Sequence, residues 1–299
     1  MRQHNFTPKP EWLKVSHPSG ENYKRLKLLS GEMGLHTVCE EARCPNIAEC
    51  WGGGTATFML LGDICTRGCR FCAVKSGSPN KMVDEMEPVK IAIALEKMGL
   101  SYVVLTSVDR DDLPDGGAAH FAATITETRK RNPGMLVEVL TPDFGGDLAS
   151  VRKIIEAQPD VFAHNIETVR RLQARARDPR ATYDKSLGVL AAVKGFDSSI
   201  YTKSSMMLGL GECFDEVVET MKDLRRNSVD ILVLGQYLRP SIRHIEVKEF
   251  IQPSMFEKYR NVGESLGFKF VASGPLVRTS YRAGEYFIQN LIRKERPRK

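Results

Sequence analysis

The stretch Thr57-Phe58-Met59-Leu60-Leu61-Gly62-Asp63-Ile64-Cys65-Thr66-Arg67-Gly68-Cys69-Arg70-Phe71-Cys72 decides the architecture and the chemistry together. Residues 57–61 are a short apolar run with no polar face, which is how a strand buried on both sides of a parallel sheet reads. Three cysteines follow it directly, spaced Cys-x3-Cys-x2-Cys. A strand that delivers thiols at its C-terminal end places them where strand–helix folds keep their active sites.

Five more apolar runs follow, at 102–106, 136–140, 161–164, 200–207 and 231–234. Amphipathic stretches alternate with them, at 89–98, 120–131, 148–157, 168–176, 184–193 and 216–226. Serial strand–helix units imply parallel strands joined by right-handed crossovers. An open doubly wound sheet fits the same order. A partial (β/α)6 barrel of the TIM type fits better, because polar residues recur where the strands end. These ends read Thr106-Ser107-Val108-Asp109, Thr141-Pro142-Asp143, His164-Asn165-Ile166-Glu167, Lys203-Ser204-Ser205 and Gln236-Tyr237. Asp143 and Asp147 also suit helix caps and turns. Lys203 and Gln236–Tyr237 are expected to line the barrel mouth, with no assigned role.

The barrel occupies 55–240 in this reading. An N-terminal extension, 1–54, precedes it with a helical pattern at 23–32. A C-terminal extension, 241–299, adds a helix near 253–266, a strand at 268–272 and a helix near 281–293.

Composition narrows the class. The chain has 299 residues with 42% hydrophobic and 27% charged side chains, ordinary for a globular protein. No apolar run approaches the roughly 18 residues that span a bilayer, and residues 1–10 show no signal-peptide core. A cytoplasmic, membrane-free protein is expected, and a monomer, since no extra interface element stands out. The net charge of +6 is spread along the chain apart from the tail, 293–299, and no nucleic-acid signature accompanies it. It favours an acidic protein partner or anionic cofactors.

Six of the seven cysteines, Cys39, Cys44, Cys50, Cys65, Cys69 and Cys72, cluster early in the chain. Without a secretory signal such clustering points to metal or catalysis. The seventh, Cys213, reads as a small apolar residue. Three thiolates at 65, 69 and 72 hold three irons of a [4Fe–4S] cube and leave one iron open. The amino and carboxylate groups of S-adenosylmethionine can chelate that iron, and an electron from the cluster then breaks the sulfonium C–S bond. A four-cysteine electron carrier has no such vacancy, and structural zinc wants four ligands. The upstream trio suggests a second cluster, although zinc with His36 as fourth ligand is the simpler alternative for that trio alone.

The spacing, Phe71 before the last cysteine and the position after the first strand resemble the radical S-adenosylmethionine superfamily. The double set Cys39-x4-Cys44-x5-Cys50 and Cys65-x3-Cys69-x2-Cys72 closely resembles lipoyl synthases. Further matches are Glu40-Glu41-Ala42-Arg43-Cys44-Pro45-Asn46, Thr106-Ser107-Val108-Asp109-Arg110-Asp111-Asp112, His164-Asn165-Ile166-Glu167-Thr168, Gly235-Gln236-Tyr237-Leu238 and Arg278-Thr279-Ser280-Tyr281.

The resemblance implies insertion of two sulfurs at C6 and C8 of an octanoyl chain on a carrier-protein lysine. It implies two [4Fe–4S] clusters and S-adenosylmethionine, with Cys39, Cys44, Cys50 and Ser280 as ligands of the auxiliary, sulfur-donating cluster. The bland alternative for Ser280 is a helix N-cap. Ser107, Asn165, Glu167 and Arg177 are the candidates for holding S-adenosylmethionine, Arg177 through its carboxylate. Here the chain reads Arg175-Ala176-Arg177-Asp178-Pro179-Arg180 where the family commonly has Arg-Val-Arg-Pro-Gly. Implied partners are an octanoylated lipoyl domain or glycine-cleavage H protein, a ferredoxin or flavodoxin reductant, and iron–sulfur assembly proteins. Two rivals stand beside this reading: a sulfur inserter of the biotin synthase type, and a non-catalytic iron–sulfur or zinc scaffold.

Overall fold

All of Thr57–Leu60 is buried, and the sheet it joins is the reason. The computed structural model describes residues 8–15, 21–41, 44, 46–52, 57–280 and 282–295. Ala42, Arg43, Pro45 and Tyr281 of the motifs above lie outside these, as do residues 1–7 and 296–299 of the two ends.

In chain order the elements begin with α1 (Glu21–Glu32), β1 (His36–Thr37), α2 (Val38–Glu41), α3 (Ile47–Gly52), β2 (Thr57–Leu60), β3 (Ile64–Cys65), β4 (Lys75–Ser76) and α4 (Glu87–Met98). They continue with β5 (Tyr102–Ser107), α5 (Ala118–Arg131), β6 (Leu136–Leu140), α6 (Leu148–Glu156), β7 (Val161–Ala163), α7 (Gln173–Ala176) and α8 (Tyr183–Phe196). The last are β8 (Tyr201–Leu208), α9 (Phe214–Arg226), β9 (Ile231–Gln236), α10 (Pro253–Ser265), β10 (Phe270–Gly274) and α11 (Arg282–Glu295).

One eight-stranded sheet runs β1-β2-β5-β6-β7-β8-β9-β10. Only the first pairing is antiparallel, so seven strands point the same way with helices between them. This is the expected α/β partial barrel, and the six apolar runs fall on β2 and on β5 to β9. The run at 268–272, read as part of an extension, is the core of β10 and continues the sheet alongside β9 in parallel. Two-residue β1 was not expected, since His36–Thr37 has no strand pattern of its own and pairs only at the edge of β2.

The helix expected over 168–176 is reduced to a 3₁₀ turn at Arg170–Leu172 and the single turn α7. Glu167 holds a left-handed φ of 66°, which a helix cannot continue. Gln173 Nε2 then binds the carbonyls of Ile166 and Thr168, fixing an irregular loop at the end of β7.

Alternate residues of the strands fill the barrel interior: Tyr102, Val104, Leu136, Val161, Tyr201 and Ile231 meet Ile288 and Ile292 of α11. Lys203 belongs to that interior and not to the mouth. Its Nζ lies 2.8 Å from Glu138 Oε1, and Tyr102 donates to Glu138 Oε2 at 2.5 Å. Gln236 is likewise structural. Its amide nitrogen binds three carbonyls and its oxygen accepts from Ile251 N–H, while Tyr237 OH donates to Ile245 O. Side chains on β8 and β9 inside a parallel sheet have only buried partners available, so polar ones are spent on satisfying each other.

Candidate active site

The loop carrying Cys65, Cys69 and Cys72 is closed at its base by the parallel pair β3–β4 and by Gly77 N–H donating to Cys65 O at 2.9 Å. It is tied outward to three other rim segments. Thr66 N–H reaches Asp109 O, Arg70 N–H reaches Ala176 O, and Ile245 N–H reaches Arg70 O, all at 2.8–2.9 Å. His244 Nε2 lies 2.9 Å from Cys72 O.

All three cysteines line one cavity of about 250 Å³ at the C-terminal ends of the strands. Burial pushes the Cys65 thiol up to about 11 and Cys69 up to about 12, and raises Cys72 as well. Backbone donors work against that rise. Arg67 and Asp109 N–H each stand 3.4 Å from Cys65 Sγ, and Asp178 N–H stands 3.4 Å from Cys69 Sγ. Half-buried sulfurs with amide donors aimed at them suit thiolates held by iron, whose positive charge offsets the desolvation that otherwise keeps the thiols protonated. Among the described residues no three His, Cys, Asp or Glu side chains converge as they would around a single ion.

Ser107, Asn165, Glu167 and Arg177 line the same cavity. Asn165 and Glu167 face one side as their alternation around Ile166 suggested, joined by Asn165 Nδ2 to Glu167 Oε1 at 3.1 Å. Burial raises the Glu167 carboxyl, with Arg177 opposing. Arg177 is 7% exposed and so is no solvated helix-end side chain. Its Nη1 donates to Ser186 Oγ at 2.8 Å and Gln173 Oε1 at 3.2 Å. Three buried polar atoms on the cavity wall, Ser107 Oγ, Asn165 Oδ1 and Asp143 Oδ2, have no hydrogen-bond partner among the described residues. Such atoms are costly unless a ligand or water meets them, and a polar cofactor such as S-adenosylmethionine fits that need.

Arg67, Asp109 and Asp143 complete the polar wall; Asp109 and Asp143 were read as polar strand ends, Asp143 also as a cap or turn residue, and Arg67 was given no role. Arg67 ion-pairs with Asp109, Asp111 and Asp143 at 3.2, 2.8 and 2.6 Å. Burial pushes Asp109 up to about 6, against the pull of Arg67. Asp143 does cap a turn, accepting from Gly145 N–H, but its other task is Arg67; Asp147 is a plain cap on α6. The signal for Arg67 was its place inside the cysteine loop.

Cys39 and Cys50 are buried on α2 and α3, with Cys44 between them. Backbone bonds Cys44 N–H to Cys39 O and Cys50 N–H to Asn46 O hold the trio as one unit. Val38, next to Cys39, lines the cavity of the other trio. The loop after β10 reaches the same unit: Asn46 Nδ2 donates to Leu276 O, and Arg278 lies close enough to Cys44 to pull against the burial that raises its thiol. Two residues on, Ser280 is half-buried. Thr279 Oγ1 also meets Asn165 Nδ2 at 3.3 Å.

This parallel sheet with a three-thiol cavity at its rim defines a radical S-adenosylmethionine enzyme, and a family model described as the radical SAM superfamily matches residues 59–224. A second model, the N-terminal domain of lipoyl synthase, matches residues 2–44. A lipoyl synthase of Anaeromyxobacter dehalogenans is 59% identical over 284 residues, which are 95% of this chain and 96% of that one. The mitochondrial lipoyl synthase of Danio rerio is 55% identical over 292 residues, 96% of this chain and 73% of that one. The chain belongs to the lipoyl synthase family. Among solved structures, the FeFe-hydrogenase maturase HydG of Carboxydothermus hydrogenoformans has a TM-score of 0.54 at 13% identity, over 79% of this chain and 65% of that one, a likeness of fold alone. Neither a biotin synthase type of inserter nor a non-catalytic scaffold is the family these relatives define.

Membership implies a [4Fe–4S] cluster and S-adenosylmethionine, which the half-buried thiols and orphaned polar atoms fit. Among the described residues no helix is long and apolar enough to cross a membrane.

Proposed function

We propose that this chain inserts sulfur at C6 and C8 of an octanoyl chain on a carrier-protein lysine. In this reading Cys65, Cys69 and Cys72 hold one cluster beside S-adenosylmethionine. Cys39, Cys44, Cys50 and Ser280 hold a second that gives up its sulfur. Together the bound groups supply an electron, a primary carbon radical able to take hydrogen from an unactivated carbon, and sulfide.

The protein's own share is placement and exclusion. Ser107 and Asn165 offer unpaired oxygens to the hydroxyls and amine of S-adenosylmethionine, Glu167 offers its carboxyl, and Arg177 offers donors for the carboxylate. Val38, Met59, Val108 and Leu140 on the cavity wall keep water from the reacting carbon. A serine oxygen is a harder partner for iron than thiolate, so Ser280 suits a ligand that lets go.

One observation carries the reading. The segment 276–279 is bonded at one end to the unit of Cys39, Cys44 and Cys50, and at the other to Asn165 on the radical cavity. That bridge supports the reading in which the two trios serve one substrate.

The reading takes 1–54 and 241–299 as the units bringing the auxiliary ligands to the barrel of 55–240. It also takes a monomer in the cytoplasm, where clustered cysteines serve metal binding or catalysis. It names an octanoylated lipoyl domain or H protein as substrate, a ferredoxin or flavodoxin as reductant, and iron–sulfur assembly proteins to restore the second cluster.

Incubating the reconstituted enzyme with an octanoylated lysyl peptide, S-adenosylmethionine and reductant should yield lipoyl peptide by mass. Deoxyadenosine without sulfur in the peptide would defeat the substrate assignment. Ser280→Ala should form deoxyadenosine yet lose most lipoyl product, and an unchanged yield would remove Ser280 as a ligand.

A further inference from the structure

Arg177 is a buried cation that makes no ion pair among the described residues. Its Nη1 is fully used by Ser186 and Gln173, while Nε and Nη2 have no acceptor among the described residues. The side chain lines the cavity. A guanidinium on a flexible stem has many rotamers, so something must aim it.

Ser186, wholly buried on α8, accepts from Arg177 at 2.8 Å and lies 2.9 Å from His164 Nε2. His164 Nδ1 lies 2.8 Å from Thr141 O, which can only accept. The proton therefore sits on Nδ1, and Nε2 takes the Ser186 hydroxyl hydrogen; this tautomer follows from the network. The bonds run in one sense: Arg177 donates to Ser186, Ser186 to His164, His164 to Thr141. A chain of this kind polarises each link and strengthens the serine oxygen as an acceptor. Burial together with the Arg177 charge pushes His164 down to about 4, so the ring stays neutral and does not compete with the guanidinium.

We infer that Ser186 and His164 are positioning residues that fix Arg177 for the carboxylate of S-adenosylmethionine. The inference rests on the reading of Arg177 given under Proposed function. It gives His164, which opens the sequence His164-Asn165-Ile166-Glu167 and lines the same cavity, a task through Ser186.

The test is equilibrium dialysis of the reconstituted enzyme with S-adenosylmethionine and, separately, with its decarboxylated analogue. Ser186→Ala should weaken the full cofactor about tenfold, the scale of a hydrogen bond to a charged group. It should leave the decarboxylated analogue within about twofold, with cluster absorbance and melting temperature close to the parent's. His164→Gln, which fits within the imidazole's volume and lacks the ring acceptor, should act in the same direction at about threefold, and it carries the test if Ser186→Ala does not fold. Equal weakening of both ligands, or unchanged affinity for both, would overturn the inference. Arg177→Ala separates the layers. If it leaves cofactor affinity intact, the carboxylate reading itself has failed. If it weakens binding while the Ser186 and His164 variants do not, only the positioning role has failed.

Discussion

Asn46 Nδ2 lies 2.6 Å from Leu276 O, fastening the unit of Cys39, Cys44 and Cys50 to the loop after β10 across 230 positions of sequence. Asn46→Ala removes a hydrogen bond of about 1 kcal/mol and leaves the first cluster's loop untouched. Iron analysis should then show loss of the auxiliary cluster's iron, with deoxyadenosine formation retained. Loss of both activities together would mean the bond serves the whole fold.

A methyl group added at Gly235 would stand 2.1 Å from Val277 O, closer than atoms can approach. The obstacle is backbone, so Gly235→Ala should push the 275–280 loop away from β9. Deoxyadenosine should still form, and the lipoyl product should fall by at least tenfold. Parent-like product would show that this loop can shift without cost to sulfur insertion.

Lys203 and Glu138 form a fully buried pair inside the barrel. Lys203→Met strands the carboxylate and should cost about 3–5 kcal/mol in denaturant unfolding. The double variant Lys203→Met with Glu138→Leu should regain most of that loss, because the desolvated charge is gone. A single variant as stable as the parent would refute the pairing.

His164 is held at about 4 in the folded chain against an ordinary 6.5. Between those values the unfolded chain binds the extra proton, so its contribution is complete above about pH 6.5 and is lost as pH falls towards 4. At pH 5 the parent should have lost roughly 2 kcal/mol that His164→Gln does not lose. Denaturation of both proteins at pH 7 and pH 5 measures the difference, and parallel losses would contradict it.

The strands were legible because parallel strands buried on both faces write themselves as apolar runs, as 102–106 and 136–140 do. The cysteine trios were legible because their double spacing, Cys39-x4-Cys44-x5-Cys50 then Cys65-x3-Cys69-x2-Cys72, is local in the chain. Other features depend on distant partners. Nothing local in Lys203 says that Glu138 and Tyr102 wait opposite it, so a polar residue on an inner strand read as part of the mouth. The stretch 168–176 looked helical by pattern, yet Glu167's backbone and Gln173's bonds to two carbonyls overrode the pattern. Arg67 was passed over because its three aspartates come from two different strand ends. Ser186 was invisible for the same reason, being one serine among many until α8 sets it between His164 and Arg177.

The reach of Arg278 to Cys44 has a consequence for biogenesis. Arg278 is translated after all seven parallel strands, whereas Cys39, Cys44 and Cys50 precede them. A nascent chain thus carries three auxiliary thiols without the loop that meets them. In the proposed reading, the site of Cys39, Cys44 and Cys50 is completed only after the whole sheet has been made.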